Sequence, residues 1–206
     1  MKTPRDYREL ALAALKGNWT PAVLLTLAVG AISSISSLFG ALSLPVTICV
    51  TFPLAVGVYA AFRMLYLRTN VDLVKYPFTE AFSSKWTHYT GGMALMFVYT
   101  FLWTLLLIVP GLIKSMSYAL TPYILQDKPE LKPKEAIELS EKMMDGHKME
   151  LFVMYLPFIG LYILSVLTLF IGALWITPIF YTAVAAYYED RKAEYEAGTE
   201  FETEKI

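Results

Sequence analysis

The chain has 206 residues, of which 56% are apolar and 17% are charged, whereas soluble domains carry about 25% charged residues. The formal net charge of −1 provides no basic field of the kind that nucleic-acid-binding proteins use. The single cysteine, Cys49, can form no disulfide within the chain, so we expect it to pack as a small apolar residue.

Charged residues divide the chain into four polar segments separated by three apolar ones. The polar segments are 2–16, 63–85, 127–150 and 189–205, and Lys114 is the only charged residue elsewhere. Each apolar segment has about 40 residues, enough for two membrane-spanning helices. A charge at the bilayer centre costs on the order of 2.5–3.5 kcal/mol. The pattern predicts a single all-α domain over residues 1–206, a polytopic membrane bundle of about six transmembrane helices arranged as three hairpins.

The chain opens with a predicted amphipathic helix within residues 1–18. Thr3 can cap this helix, Pro4 suits its first turn, and Gly17 can end it. We expect the helix to lie flat on the membrane surface, with Trp19 anchoring the start of the first crossing. Its basic residues resemble those of a signal peptide, but the apolar run that follows is longer than the roughly 15 residues of a signal sequence. We therefore interpret it as an uncleaved first hairpin.

The first hairpin is predicted to cross at 20–38 and 44–66, with a chargeless turn at 39–43. Serines near the end of the first crossing are expected to bond to backbone carbonyls of the preceding turn, and lining a pathway is the alternative. The connection at 69–90 is predicted to be cytoplasmic. Pro77 can open an aromatic-faced helix there, which is expected at the membrane interface, with protein binding as the alternative.

The second apolar segment leaves two alternatives open. A predicted crossing ends at Val109 and is followed by Pro110 and Gly111, a strong turn signal. Either these two residues form the outer turn, or one long kinked helix passes through. The second alternative would place the lysines of 127–150 outside the cell, against the positive-inside bias, so the turn is favoured. Lys114 would then lie one helical turn from the outer interface and reach it with its long side chain.

The connection at 127–150 is also predicted to be cytoplasmic, with an amphipathic helix that packs on the bundle or on lipid headgroups. The last hairpin is predicted to cross at 151–170 and 174–188, and the acidic tail at 193–206 is expected to be flexible. The turn of the last hairpin, Phe170-Ile-Gly-Ala-Leu174, is similar in sequence to the turn of the first hairpin, a weak indication of an internal repeat of the kind found in transporters.

The sequence carries no recognised catalytic motif. His-Glu-x-x-His, a phosphate-binding glycine loop and Gly-x-Ser-x-Gly are all absent, and His88 and His147 are far apart. The predicted crossings contain no Asp or Glu, which disfavours a proton- or cation-coupled carrier. We therefore predict no catalytic, cofactor-binding or metal-binding residues and expect a protein that is not an enzyme.

The chain contains the motifs Val109-Pro-Gly-Leu-Ile-Lys-Ser-Met-Ser-Tyr118, Thr121-Pro122, Met144-Asp-Gly-His-Lys148, Leu15-Lys-Gly-Asn-Trp19 and Tyr187-Tyr-Glu-Asp190. These motifs resemble a bacterial integral membrane family catalogued as domain of unknown function 975. The resemblance implies a multi-pass membrane protein and brings no established activity. It also indicates that the segments 110–118 and 140–148 matter together, and we expect them to pack near each other. The candidate residues are Pro110, Gly111, Lys114, Tyr118, Pro122, Ser140, Gly146, His147 and Lys148.

Three classes of function are compatible with these observations. The first and favoured one is a non-enzymatic membrane protein acting by contact, as a scaffold, regulator or accessory subunit. The second is a small transporter or permease for a neutral or lipid-like substrate, and the third, a membrane enzyme acting on lipid, has almost no support from individual residues. The expected partners are the lipid bilayer and a membrane or cytoplasmic protein, with a second copy of the chain as a further candidate and no nucleic acid. We expect a cell-membrane location with both termini in the cytoplasm.

Overall fold

The regular structure is helical throughout the described residues, which are 2–37 and 43–203 of the computed structural model. The helices are α1 (Pro4–Leu15), α2 (Trp19–Ser37), α3 (Ser43–Val46), α4 (Phe52–Tyr66), α5 (Tyr76–Ala81), α6 (Trp86–Leu106), α7 (Ile108–Ser117), α8 (Thr121–Asp127), α9 (Pro133–Met143), α10 (Lys148–Val166) and α11 (Ala173–Thr203). A π-helical segment, Thr47–Thr51, joins α3 to α4. The predicted all-α class is confirmed, whereas residues 39–42 of the predicted first turn lie outside the described ranges.

Three helices in the described part of the chain are long and apolar enough to cross a membrane. They are Ser43–Tyr66, Trp86–Leu106 and Lys148–Val166. The pair Pro4–Leu15 and Trp19–Ile35, bent by 103°, adds a fourth if it is counted as one span. The predicted count of six is higher because the return arm of the second hairpin is broken into two short helices, α7 and α8, and because α11 combines an apolar start with a charged end.

Helix α1 forms as predicted but covers a different surface. The Asp6 N–H donates to Thr3 Oγ1, and the Thr3 N–H donates to the Asp6 carboxylate, which completes a capping box. Its buried stripe, which includes Tyr7 and Leu15, packs on the bundle, and the Tyr7 ring meets the Tyr187 ring edge-on at 5.3 Å. The apolar stripe that was expected to face the membrane therefore contacts protein, chiefly α11.

The first hairpin is antiparallel. The start of α2 lies beside the end of α4, where Lys16 and Asn18 line one groove with Leu65 and Arg68. The Ser34 hydroxyl donates to the Gly30 carbonyl at 2.9 Å, so the predicted bonding of serine to the preceding turn is confirmed at that residue.

The connection after α4 doubles back along that helix. A Cβ at Gly57 would lie 2.2 Å from the Pro77 carbonyl oxygen, and Trp86 Nε1 donates to the Cys49 carbonyl at 3.0 Å. The predicted aromatic-faced helix is divided, because α5 ends at Ala81 and a new helix begins at Trp86. Cys49, which was expected to pack as a small apolar residue, is exposed on the surface of the bundle.

The second hairpin reverses at Leu107, three residues before the predicted turn. Leu107 has an extended backbone, with φ −159° and ψ 140°, and α7 returns along α6. A Cβ at Gly111 would lie 2.6 Å from the Thr104 Cα, which shows how closely the two arms approach. Pro110 falls in the first turn of α7, where its missing N–H breaks no helical hydrogen bond. The alternative of one long kinked helix is wrong.

The pairing of this hairpin continues to its base. The Tyr99 and Tyr118 rings lie 6.4 Å apart, and a Cβ at Gly92 would meet the Leu125 side chain at 2.5 Å. The chain therefore returns through α7 and α8 to the end from which α6 started, and the connection at 127–150 begins there.

The third hairpin pairs α10 with α11. The Tyr162 hydroxyl lies 2.9 Å from Thr177 Oγ1, and the Tyr187 hydroxyl donates to the His147 carbonyl at 3.2 Å. The observed turn lies between Val166 and Ala173, slightly before the predicted one. Helix α11 continues through the tail that was expected to be flexible and is helical to Thr203.

Candidate functional site

The predicted segments 110–118 and 140–148 contact each other where α7 meets α9. Lys114 forms an ion pair with Glu141, and Lys114 Nζ lies 5.2 Å from the Trp103 ring centroid. The Ser140 hydroxyl donates to the Ser117 carbonyl at 2.7 Å. Lys114 thus lies against the charged helix of the 127–150 connection. Its predicted position, one turn from the opposite surface of the bundle, was wrong because Glu141 of α9 reaches it directly.

The end of α7 explains the contact made by Ser140. A helix leaves its last four carbonyls without partners within the helix, and α7 ends at Ser117 with Tyr118 as its C-cap. Ser117 and Ser140 are both fully buried. The Ser140 hydroxyl therefore supplies the hydrogen bond that the Ser117 carbonyl cannot obtain from water. A small hydroxyl residue on the inner face of α9 therefore fixes that helix against the second hairpin.

Three of the predicted residues shape the second hairpin. Pro110 and Gly111 lie in α7, where Gly111 permits the close approach to Thr104. Pro122 opens α8 and is buried, a position at which proline suits the first helical turn. These residues set the path of the chain, and their side chains bring no ionisable group to the site.

The remaining predicted residues lie at the start of α10 and contact α11. Gly146 has φ +77°, a left-handed conformation that favours glycine after a helix end. The Arg191 guanidinium is 5% exposed, and its Nη1 donates to His147 Nδ1 at 2.7 Å. His147 Nδ1 also lies 3.3 Å from Glu150 Oε2, and His147 Nε2 lies 3.7 Å from Glu194 Oε1. Lys148 pairs with Asp145 at 3.9 Å.

The nine predicted residues therefore form two neighbouring groups and a scaffold rather than one site. Lys114, Tyr118 and Ser140 meet between α7 and α9, while the Gly146-to-Lys148 segment meets α11. An apolar surface groove of about 290 Å³, lined by Val109, Met116 and Lys148 among others, lies between α7 and the start of α10.

Sequence reasoning missed a network of ion pairs and hydrogen bonds, here termed the ion-pair layer. It consists of Arg63, Gln126, Asp127, Tyr188, Glu189 and Lys192. Arg63 Nη2 lies 2.7 Å from Asp127 Oδ1, and Arg63 Nε lies 2.5 Å from Glu189 Oε1. Arg63 Nη1 donates to Gln126 Oε1 at 2.8 Å.

Asp127 is the second centre of the ion-pair layer. Its Oδ2 accepts hydrogen bonds from Lys192 Nζ at 2.6 Å and from the Tyr188 hydroxyl at 2.9 Å. Burial raises the pKa of Asp127, but Lys192, Arg63 and Tyr188 together outweigh burial and hold that pKa below its ordinary value. Asp127 is therefore a stable carboxylate that binds two cations.

The sequence held a signal for the ion-pair layer. Arg63, Asp127 and Glu189 are each the first charged residue after an apolar segment. If each apolar segment is a hairpin that leaves and returns at one end of the bundle, the three first charges arrive at the same level. The structure brings them into direct contact, so the layer ties together the returning arms of all three hairpins.

Two further cavities include polar side chains in their lining. A polar groove of about 340 Å³ runs between the end of α1 and residues 68–73, with Lys16 and Arg68 among its lining residues. A cavity of about 310 Å³ lies between α2, α4 and α11, lined mostly by apolar side chains and by the hydroxyls of Thr26, Ser33 and Thr177. Within residues 2–37 and 43–203, no three His, Cys, Asp or Glu side chains come together as ligands for a metal ion.

The fold and the ion-pair layer define an all-helical protein whose hairpins are joined at one charged end. Residues 43–194 match the family described as Protein of unknown function (DUF975), and the chain belongs to that family. The predicted resemblance is thereby confirmed. The matched range includes α3 to α10 and much of α11, while the Leu15-to-Trp19 motif precedes it. No curated protein and no solved structure matches the chain.

Proposed function

We propose that this chain is a polytopic protein of the cell membrane that acts by contact with another protein rather than by catalysis, as a scaffold, regulator or accessory subunit. The ion-pair layer carries this proposal. It joins α4, α8 and α11 through side chains that are at least 76% buried, and it gives the charged end of the bundle one fixed shape. A surface of fixed shape loses little conformational entropy when it binds a partner.

The apolar exterior of the bundle supports the membrane location. The second hairpin exposes large side chains at its tip, where Leu105 is 73% exposed and Ile108 is 72% exposed. The tip of the third hairpin is similar, with Leu169 85% exposed. Contiguous apolar surface of this kind is unfavourable in water and favourable among acyl chains.

The charged end of the bundle supports a common side for both termini. Lys2 near the N-terminus pairs with Asp190 at 2.7 Å, and Glu196 in the last helix pairs with Lys128 at 3.3 Å. We propose that this side is the cytoplasm, because short loops rich in lysine and arginine are retained there. Six crossings would further require every hairpin tip to reach the opposite side.

Helix α9 provides the surface that a partner would contact. Its inner face is held by Ser140 and by the Lys114–Glu141 ion pair. Its outer face carries Lys134 and Lys142 together with Glu135 and Glu138, all exposed, and Lys134 pairs with Glu138 at 3.4 Å. A partner with the opposite arrangement of charges would complement this mixed face.

Affinity purification after gentle detergent extraction tests the contact function. The double variant Lys134→Glu/Lys142→Glu alters only exposed side chains of α9 and should lose a protein that co-purifies with the wild type. The matched control is Lys75→Glu, a charge reversal at an exposed lysine on another part of the charged end. If the wild type, the double variant and the Lys75→Glu control recovered every co-purifying protein equally, a contact function through α9 would be contradicted.

A transporter for a neutral or lipid-like substrate is the second candidate, and the cavity between α2, α4 and α11 favours it. The cavity combines apolar walls with a few hydroxyls, a lining that suits an uncharged ligand. Mass spectrometry of the extracted protein tests this candidate. A small molecule or lipid retained by the wild type and displaced by Gly30→Phe, which fills the cavity, would favour transport. Retention unchanged by Gly30→Phe would contradict it.

A further inference from the structure

The α6–α7 hairpin lies beside the charged helix α9 along most of its length. A Cβ at Gly91, near the start of α6, would lie 3.8 Å from the Pro133 side chain at the start of α9. Near the other end of α9, Glu141 pairs with Lys114, whose Nζ lies 5.2 Å from the Trp103 ring centroid. Helix α9 therefore lies beside the hairpin from Gly91 in α6 to Lys114 in α7.

The outer face of α9 fixes where this part of the hairpin can lie. Lys134 and Glu138 have side chains that are 67% and 55% exposed, and Lys142 is exposed too. Ionised side chains facing outward from the bundle cannot lie among acyl chains without a cost of several kcal/mol. The part of α6 beside α9 is therefore at the level of water or lipid headgroups.

Little of the hairpin extends beyond α9. From Lys114 back to the turn at Leu107, a helix rises about 10 Å at 1.5 Å per residue. The hydrocarbon core of a bilayer is about 30 Å thick, so one leaflet contributes about 15 Å. The third hairpin reaches further, since α10 rises about 22 Å between Leu151 and Val166.

We propose that the α6–α7 hairpin does not cross the membrane and instead inserts its tip among the acyl chains of the leaflet next to the charged end. The tip is the segment Leu105–Leu112, which carries no charged residue and exposes its leucines and isoleucine. Trp103 beside Lys114 lies where an indole and an ammonium group would meet the headgroups. The apolar sequence of this hairpin resembles that of a membrane-crossing segment, because an apolar composition indicates contact with lipid and does not indicate how deeply the hairpin inserts.

This inference rests on the proposed membrane location and is tested with paired single cysteines. In a Cys49→Ser background, Leu107→Cys marks the tip of the second hairpin and Leu169→Cys marks the tip of the third. Both leucines are exposed, so neither substitution removes core packing. Intact cells are treated with a membrane-impermeant maleimide, and the purified variants are reconstituted with a fluorescent label quenched by spin-labelled phospholipids.

The expected result is that the impermeant maleimide labels Leu169→Cys from outside the cell and does not label Leu107→Cys. In vesicles, the label at position 107 should be quenched more strongly by a spin label deep on the acyl chain than by one at the headgroup. The label at position 169 should show the reverse order.

Labelling of position 107 from outside at the rate of position 169 would overturn the inference and restore a crossing there. Absence of lipid quenching at position 107, with cross-linking to a second copy, would also overturn it and assign the tip to a protein interface. Release of the wild-type protein from membranes by alkaline carbonate would instead show that the proposed membrane location fails. The two failures are therefore distinguishable.

Discussion

Replacement of Arg63 by methionine is expected to destabilise the bundle more than any exposed charge substitution. The Arg63 side chain is 6% exposed and contacts Asp127, Glu189 and Gln126. Methionine keeps an apolar side chain of similar length but removes the charge, so two largely buried carboxylates lose a cation. Removing one partner of a buried ion pair typically costs about 3–5 kcal/mol.

The loss should fall unequally on the two carboxylates. Asp127 retains Lys192 at 2.6 Å, whereas Arg63 is the cation that contacts Glu189 within the ion-pair layer. The double variant Arg63→Met/Glu189→Gln removes the carboxylate left without its cation. We expect it to be more stable than Arg63→Met by about 1–3 kcal/mol, within the range measured for directly contacting pairs.

Thermal unfolding of the detergent-solubilised protein measures these effects. For a chain of this size, 1 kcal/mol shifts the Tm by about 2–4 °C, so Arg63→Met should melt about 6–20 °C below the wild type. Lys75→Met is the control, because Lys75 is 83% exposed and its pair with Asp72 is loose at 3.8 Å. A Tm for Arg63→Met within about 2 °C of that control, or a double variant less stable than the single one, would refute the reasoning.

Three further predictions concern stability measured in the same way. Gly57→Ala should lower the Tm, since its Cβ would meet a backbone oxygen of α5 at 2.2 Å. The control Gly30→Ala meets nothing within 4 Å and should raise stability by up to about 1 kcal/mol; equal effects would contradict the close approach at Gly57. Gly146→Val should cost about 1–2 kcal/mol because φ is +77° there, and Pro110→Ala about 0.4–1 kcal/mol; unchanged melting of both would contradict a joint structural role for their segments. Because the pKa of Asp127 is lowered in the folded protein, its contribution to stability should be complete above about pH 5 and lost as pH falls below about 4, a loss that Asp127→Asn should not show.

The sequence was informative wherever one physical effect decided the structure. Ion solvation predicted the division into hairpins, and local backbone chemistry predicted the capped start of α1 at Thr3 and its end near Gly17, which has a left-handed φ of +86°. These features depend on neighbouring residues or on the solvent and not on a distant part of the chain. The turn of the second hairpin was displaced to Leu107, because Pro110 is as compatible with the first turn of a helix as with a loop.

The sequence was least informative where two charged residues that are far apart in the chain form an ion pair in the folded protein. Lys114 stands alone within an apolar segment, and from the sequence it was placed near the opposite surface. Its position depends on Glu141, 27 residues later, and on the docking of α9 through Ser140. The amphipathic helix α9 can bury its apolar face against any surface of matching shape. The hydropathy of α6 does not show that the α6–α7 hairpin provides such a surface.

The same reasoning explains why the number of crossings is harder to predict than the number of hairpins. Each apolar segment has about 40 residues and is long enough to leave the charged end and return to it, so the sequence favours three reversals whatever their depth. Depth is set by what lies alongside each arm. Helix α9 lies alongside the second hairpin, whereas the third reaches its turn with α10 and α11 paired along their apolar lengths. The contact between Lys114 and Glu141 is therefore the feature that separates a hairpin inserted into one leaflet from one that crosses both.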